Sequence, residues 1–171
     1  MNTAWRPHFH SATTIALSFA WLVATCSCGE QPAVVLSRRS VCERGLLTER
    51  DLQGILRGPI LGSRLVPGDP QSCALTTGGH SRFEITMRPK RGRVTVRNWI
   101  DGSMALEAVP LHGVGELAAW QRDLHEVIAA RGDALCDIAV IGTEGDFVDT
   151  SEYVLEDRIG NLCNKLLGSI Q

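Results

Sequence analysis

Four cysteines, at positions 42, 73, 136 and 163, constrain this chain more than any other feature, because they follow a segment that reads as an export signal. In an oxidising compartment the thiols of a folded domain are expected as disulfides, and four of them admit three connectivities. The expectation is nearest-neighbour pairing, Cys42 with Cys73 and Cys136 with Cys163. It joins the approach to a helix to a strand, and a strand to a helix, which are ordinary contacts between layers. The chain-entropy model assigns each such bridge about 3 to 4 kcal/mol. Structural zinc is the competing use of thiols, but zinc sites present them in close C-x-x-C pairs, and none of these four lies near another in sequence. Neither a metal nor a cofactor is expected.

Residues 1–25 read as a signal peptide: Arg6 supplies a positive start, and Ser11 to Thr25 is an uncharged, mostly apolar run. That run is about 15 residues, short of the roughly 20 that span a bilayer. Its end, Leu22-Val23-Ala24-Thr25-Cys26, resembles a bacterial lipobox, whose cysteine becomes the lipidated first residue of the mature protein. Thr25 stands where that motif prefers Gly, Ala or Ser, so Cys28, or cleavage without a lipid, remains an alternative to Cys26. Residues 26–40, with Pro32, Ser37 and Arg38-Arg39, read as a tether, and residues 41–171 as a single domain. His8 and His10 would leave with the signal peptide. With 171 residues, 44% hydrophobic content and a formal charge of -2, the chain fits one domain and lacks the strongly basic footprint of a nucleic-acid binder.

Within the domain, Thr48 with Asp51 forms a short capping box and Leu47 can staple onto Leu52, which predicts a helix of about nine residues ending at Gly58-Pro59. Ile60 to Gln71 reads as a connection, from Gly62, Pro67, Gly68, Asp69 and Pro70. A strand over Ser72–Thr76 carries Cys73, Thr77-Gly78-Gly79-His80 reads as a hairpin turn, and Arg82–Arg88 alternates as a half-buried antiparallel strand. Residues 91–101 are ambiguous, since Val94 and Val96 alternate while Val96, Trp99 and Ile100 share a helical face; helix is the preferred reading. Gly113-Val114-Gly115-Glu116 reads as a structural turn into a strand over Leu117–Trp120. Leu124–Arg131 and Ala134–Gly142 form a hairpin about Gly132-Asp133, with His125 in its first strand. Asp137 interrupts the apolar second strand and reads as outward-facing or capped rather than as an acid of raised pKa. The final helix has Asp149 as N-cap, Glu152 three residues on, and a Val148 to Tyr153 staple. Leu155, Ile159, Leu162, Cys163, Leu166, Leu167 and Ile170 give it one apolar face, with Cys163 turned toward Cys136. The sum is an α+β fold: an antiparallel sheet of about 4 to 6 strands packed by a short N-terminal and a long C-terminal helix.

Cys42-x-x-x-Leu46-Leu47-Thr48-x-x-Asp51-Leu52, Cys73 in a strand, Val109-Pro110 and Gly113-Val114-Gly115-Glu116, then a hairpin and a final helix, together resemble a family. It is similar to the small cysteine-stapled lipoproteins of unknown function abundant in actinobacterial envelopes. The chain departs from their pattern in the spacer Glu43-Arg44-Gly45, in Ala74-Leu75 where an aromatic usually follows the cysteine, and in Leu111-His112. The resemblance implies an α+β sandwich, PsbP-like in some members, and no catalytic residue to carry over.

Basic residues gather at Arg82, Arg88, Lys90, Arg91, Arg93 and Arg97, offset by Glu84. They read as a solvated face or as a patch for an anionic partner, such as lipid headgroups, worth about 1 kcal/mol per residue near an anionic surface. No nucleophile, base and acid cluster in the sequence, so no catalytic residue is expected. The leading expectation is a non-enzymatic lipoprotein domain, exported and lipid-anchored at the cell membrane or outer membrane on its periplasmic or extracellular side. There it would bind a ligand or protein partner of the cell envelope. The alternatives are an exported hydrolase using His80, His112 or His125, and a structural or assembly component of an envelope complex.

Overall fold

The computed structural model describes residues 41–42, 45–78, 81–102 and 108–170. The signal peptide, the tether, Cys26 and Cys28, and His80 of the expected turn lie outside the described residues.

In chain order the elements are α1 (Glu49–Leu52), β1 (Ile60–Val66), β2 (Asp69–Thr77), β3 (Arg82–Arg88), α2 (Gly92–Ile100), β4 (Val109–Pro110), β5 (Leu117–Gln121), β6 (Glu126–Arg131), β7 (Ala134–Ile141) and α3 (Glu152–Gly168). The strands form one seven-stranded sheet, β1-β2-β3-β7-β6-β5-β4, antiparallel at every pairing. The α+β class and the long C-terminal helix are as the sequence implies, but the sheet is larger than the expected 4 to 6 strands.

Two strands were not expected: the two-residue β4, and β1, which lies in the stretch read as a connection. Pro67-Gly68 is a tight turn, with Gly68 at φ +84°, between Val66 and its partner Asp69. Two register irregularities, near Leu61 and between Leu65 and Val66, scramble the alternation that would have marked β1, and its middle is exposed throughout. The first helix is also shorter than expected, at four residues. Its capping box does form: Asp51 Oδ2 accepts from Thr48 N–H and from the Thr48 hydroxyl, both at 2.7 Å. So short a helix has no stability of its own, and Leu52, Ile55 and Leu56 are held by burial in the core.

α3 lies along one face of the sheet. Leu155, Ile159, Leu162, Cys163, Leu166 and Leu167 are buried against Phe83, Ile85, Met87, Ala118, Trp120, Val127, Ala129, Cys136, Ile138 and Val140. The helix starts later than its sequence suggests. Ser151 is the N-cap, and Asp149 instead accepts from Ser151 N–H at 2.8 Å. Glu152 leaves the helix for Trp120 Nε1 (3.2 Å) and Arg122, and Val148 and Tyr153 are both exposed rather than stapled together. Asn164 fixes the glycine loop: its Oδ1 accepts from Gly115 N–H and its Nδ2 donates to Gly113 carbonyl, each at 2.8 Å.

The four cysteines meet as Cys42–Cys73 and Cys136–Cys163, with Cα separations of 5.8 and 5.7 Å. The first ties the approach to α1 to β2, and the second ties α3 to the central strand β7. These two bridges fit an oxidising, extracytoplasmic setting. Among the described residues no helix is long and apolar enough to cross a membrane.

α2 packs on the other face, so the core of the ambiguous stretch 91–101, Gly92–Ile100, is helical, as preferred. Val96 is its one fully buried apolar residue, set on Ala119, Ile128, Ala130 and Leu135. Gly92 begins the helix where its N–H donates to Asp133 carbonyl at 2.9 Å. A Cβ there would collide with the Ala134 carbonyl, so the close approach requires glycine.

Candidate functional site

Beyond α2 the face turned away from α3 becomes polar. Strand register aligns Ala74, Glu84, Ala139, Glu126 and Gln121 in one row across β2, β3, β7, β6 and β5. Ser72, Thr86 and Asp137 form part of the adjacent row. Side chains alternate along a strand, and Phe83, Ile85, Trp120, Val127, Ile138 and Val140 belong to the core under α3, so the residues between them share the opposite face. Ala139 makes the floor between Glu84 and Glu126, two strand spacings or about 10 Å apart in the backbone.

Glu126 and Asp137 are diagonal neighbours on β6 and β7, and their side chains hydrogen-bond to each other. Two carboxyl groups can do so only while one carries a proton. Burial pushes Glu126 well above the usual carboxylate range, and the neighbouring Asp137 charge pushes it further. Burial raises Asp137 too, against the opposing pull of its bond to Glu126 and of the Arg88 charge. Burial thus favours the protonated form of the pair. The expectation that Asp137 is merely outward-facing or capped gives way to a half-buried acid with an acidic neighbour. Glu126 escaped the sequence reading, although the signal was there. A turn at Gly132-Asp133 pairs Arg131 with Ala134, and counting back from that pair brings Glu126 beside Asp137.

Other groups of the half-face are already engaged. Glu84 accepts from Arg82 Nε at 2.7 Å. Arg88 pairs with Asp69 at 3.0 Å, and Asp69 also accepts from the Ser72 hydroxyl at 2.8 Å. Ser72 and Thr86 hydroxyls meet at 2.6 Å. Gln121 lies at the end of the row and is only 9% exposed.

Three of the six basic residues are already engaged. Arg82, Arg88 and Arg93 are ion-paired, to Glu84, Asp69 and Glu116. Lys90, Arg91 and Arg97 are exposed, in the turn before α2 and on the helix itself, without a carboxylate partner among the described residues. His112 is exposed. His125 lies in the turn after β5 at φ +44°, not in a strand. Its ring sits 6.3 Å from Trp120 and 4.7 Å from Phe147, and burial lowers its pKa despite Glu152 and Asp123. Among the described residues no serine, threonine or cysteine hydrogen-bonds to either histidine, and no three His, Cys, Asp or Glu side chains are placed to hold a metal ion. An open groove of about 550 Å³ is lined by Arg57, Glu144, Phe147, Val148, Asp149 and Thr150, and Phe147 on its wall touches the His125 ring.

Compared with protein families, curated proteins and solved structures, the chain matches none.

Proposed function

We propose that this chain is a membrane-anchored, extracytoplasmic lipoprotein domain that performs no chemistry and binds a partner at the cell envelope through the polar half-face of its sheet. The observation that carries this reading is the row of half-buried polar groups from Glu84 to Gln121, on a face whose other half is covered by α2. Among the described residues no helix covers these half-buried groups, and half-buried polar groups suit recognition better than stability. The two disulfides suit the same role, since a surface held by a stapled fold loses little freedom on binding. Lipidation at Cys26 would hold that surface at the membrane.

The test is a photo-crosslinking residue placed at Ile141, on the half-face, or at Tyr153, exposed on α3, in the full chain expressed in its native envelope. A discrete crosslinked species from position 141 and none from position 153 supports the reading. Absence of any discrete species from position 141 refutes it. In the same cells, fatty-acid labelling that disappears in Cys26→Ser supports the anchor, and labelling that persists in a Cys26→Ser, Cys28→Ser double variant overturns it.

A further inference from the structure

α2 turns one side to the sheet and leaves the other uncovered. Val96, Trp99 and Ile100 face Ala119, Ile128, Ala130 and Leu135, with Val96 fully buried and the other two partly so. On the opposite side Arg91, Val94, Arg97 and Asn98 follow one another at steps of three and four, and all are exposed. Val94, in the middle of that stripe, is 59% exposed. Arg91 stands just before the helix at φ +67°, and its carbonyl accepts from the Thr95 hydroxyl at 2.8 Å, which holds it against the first turn. From Lys90 to Gly102 the chain carries Lys90, Arg91, Arg93 and Arg97 against one acid, Asp101, at the far end of the helix. Arg93, on the flank, is committed to Glu116, which leaves Lys90, Arg91 and Arg97 without a carboxylate partner among the described residues.

We propose that the outer side of α2 rests on an anionic lipid surface, with Lys90, Arg91 and Arg97 at the phosphate headgroups and Val94 between them at the boundary with the acyl chains. This deepens the reading of the chain as a membrane-anchored domain and rests on it, because the anchor keeps so short a helix close to lipid. Two features select lipid independently. The three cations complement anionic headgroups, and each basic residue near such a surface contributes roughly fivefold, or about 1 kcal/mol. The valine set at the centre of the charged stripe has no use against a soluble polyanion, whereas a bilayer interface takes up apolar side chains from a basic helical face. One valine and three cations orient a tethered domain rather than hold a free one, and the cations together favour the seated orientation by roughly a hundredfold. The polar half-face lies on the same side of the sheet, so a chain seated in this way meets its partner at the membrane surface.

The experiment places a photo-crosslinking residue at Val94, or at Tyr153 on α3 as the control, in the full chain. The chain is crosslinked in its native envelope, and again after purification and reconstitution into vesicles of phosphatidylcholine, with or without an equal part of phosphatidylglycerol. In the envelope, position 94 should give a lipid adduct and position 153 none. No lipid adduct at position 94, or a protein or polymer in its place, would overturn the proposal. In vesicles the adduct should require phosphatidylglycerol, and equal yields from the two compositions would also overturn it. Arg91→Gln combined with Arg97→Gln should lower the adduct by roughly twenty-five-fold, the product of two cations. Raising salt from about 0.1 M to about 1 M shortens the screening length from about 10 Å to about 3 Å and should remove the adduct from the unaltered chain, which keeps the test decisive if the double variant does not fold. Fatty-acid labelling with no adduct would overturn the proposal and leave the anchor intact, whereas an adduct without labelling would overturn lipidation alone.

Discussion

Under α3 the sheet presents Phe83, Ile85, Val127, Ile138 and Val140, each no more than 1% exposed, and a disulfide pins the helix to the central strand. On the opposite face α2 contributes one fully buried apolar residue, Val96, and the area beyond it holds two neighbouring acids, Glu126 and Asp137. The same strands supply both faces, so the contrast is a choice made at alternate positions rather than by separate regions of sequence. One face is spent on stability and the other keeps polar groups half-buried, as recognition sites do.

The contrast extends to pH. On the α3 side, burial would raise the Asp51 carboxyl, but hydrogen bonds from Lys165 and Thr48 outweigh it and bring the group down to about 2. Arg122 and Trp120 hold Glu152 below its ordinary value in the same way. On the other side burial raises Glu126 and Asp137. Carboxyls lowered by folding favour the native state at neutral pH, whereas carboxyls raised by folding oppose it there.

The largest effect should come from breaking the better-built face. Replacing both Cys136 and Cys163 by alanine releases α3 from β7, and loss of such a bridge typically removes about 2 to 5 kcal/mol. Urea unfolding should show the midpoint fall accordingly, and an unchanged midpoint would mean that burial alone carries α3. The matching change on the other face is Val96→Ala, which empties the one deep contact of α2. Two methyl groups lost from a fully buried site correspond to about 2 kcal/mol. Hydrogen exchange should then rise in Gly92–Ile100 more than in Glu152–Gly168, and equal loosening of both helices would show the faces to be coupled.

Glu126→Gln should act in the opposite direction. The raised pKa means that the folded state holds a proton that the unfolded state releases, so native stability is full below the ordinary carboxylate pKa and declines as pH rises through neutral. Gln keeps the hydrogen-bonding shape without the charge. Stability at about pH 8 should increase by at least one pK unit's worth, about 1.4 kcal/mol, while near pH 4 the variant and the native chain should nearly coincide. Thermal unfolding across that range measures both, and a destabilised variant at pH 8 would show that the pair is not strained by charge.

The α3 side was the more legible in sequence because one face of one helix carries it: Leu155 to Ile170 at steps of three and four can be read without knowing the sheet. The cysteine pairing was readable because nearest neighbours along the chain join a helix or its approach to a strand, as layers commonly meet. β1 was not readable, because an exposed edge strand with two irregularities has no alternation to detect. The start of α3 was displaced because Asp149 caps the turn before the helix, and Glu152, which looked like a partner for the cap, is drawn to Trp120 and Arg122 by tertiary contact. The half-face was hidden most. Its acids come from three strands whose order, β3-β7-β6, appears in no local pattern, and only the Glu126–Asp137 diagonal could be counted from a turn.

The smallest effect belongs to the carboxylate with the opposite sign. Asp51 links Thr48 at the start of α1 to Lys165 of α3 at 2.6 Å, but both side chains keep solvent contact, so screening limits the pair to less than about 1 kcal/mol. Its folded pKa lies below its ordinary 3.8, so its contribution is present above that value and vanishes as pH falls toward 2. Asp51→Asn should therefore lower stability slightly at pH 7 and have no effect near pH 2, the mirror image of Glu126→Gln. Unfolding midpoints at the two pH values, measured on both variants, give two slopes of opposite sign. If the slopes share a sign, the faces do not differ in how folding treats their carboxyls, and the contrast between them loses its physical basis.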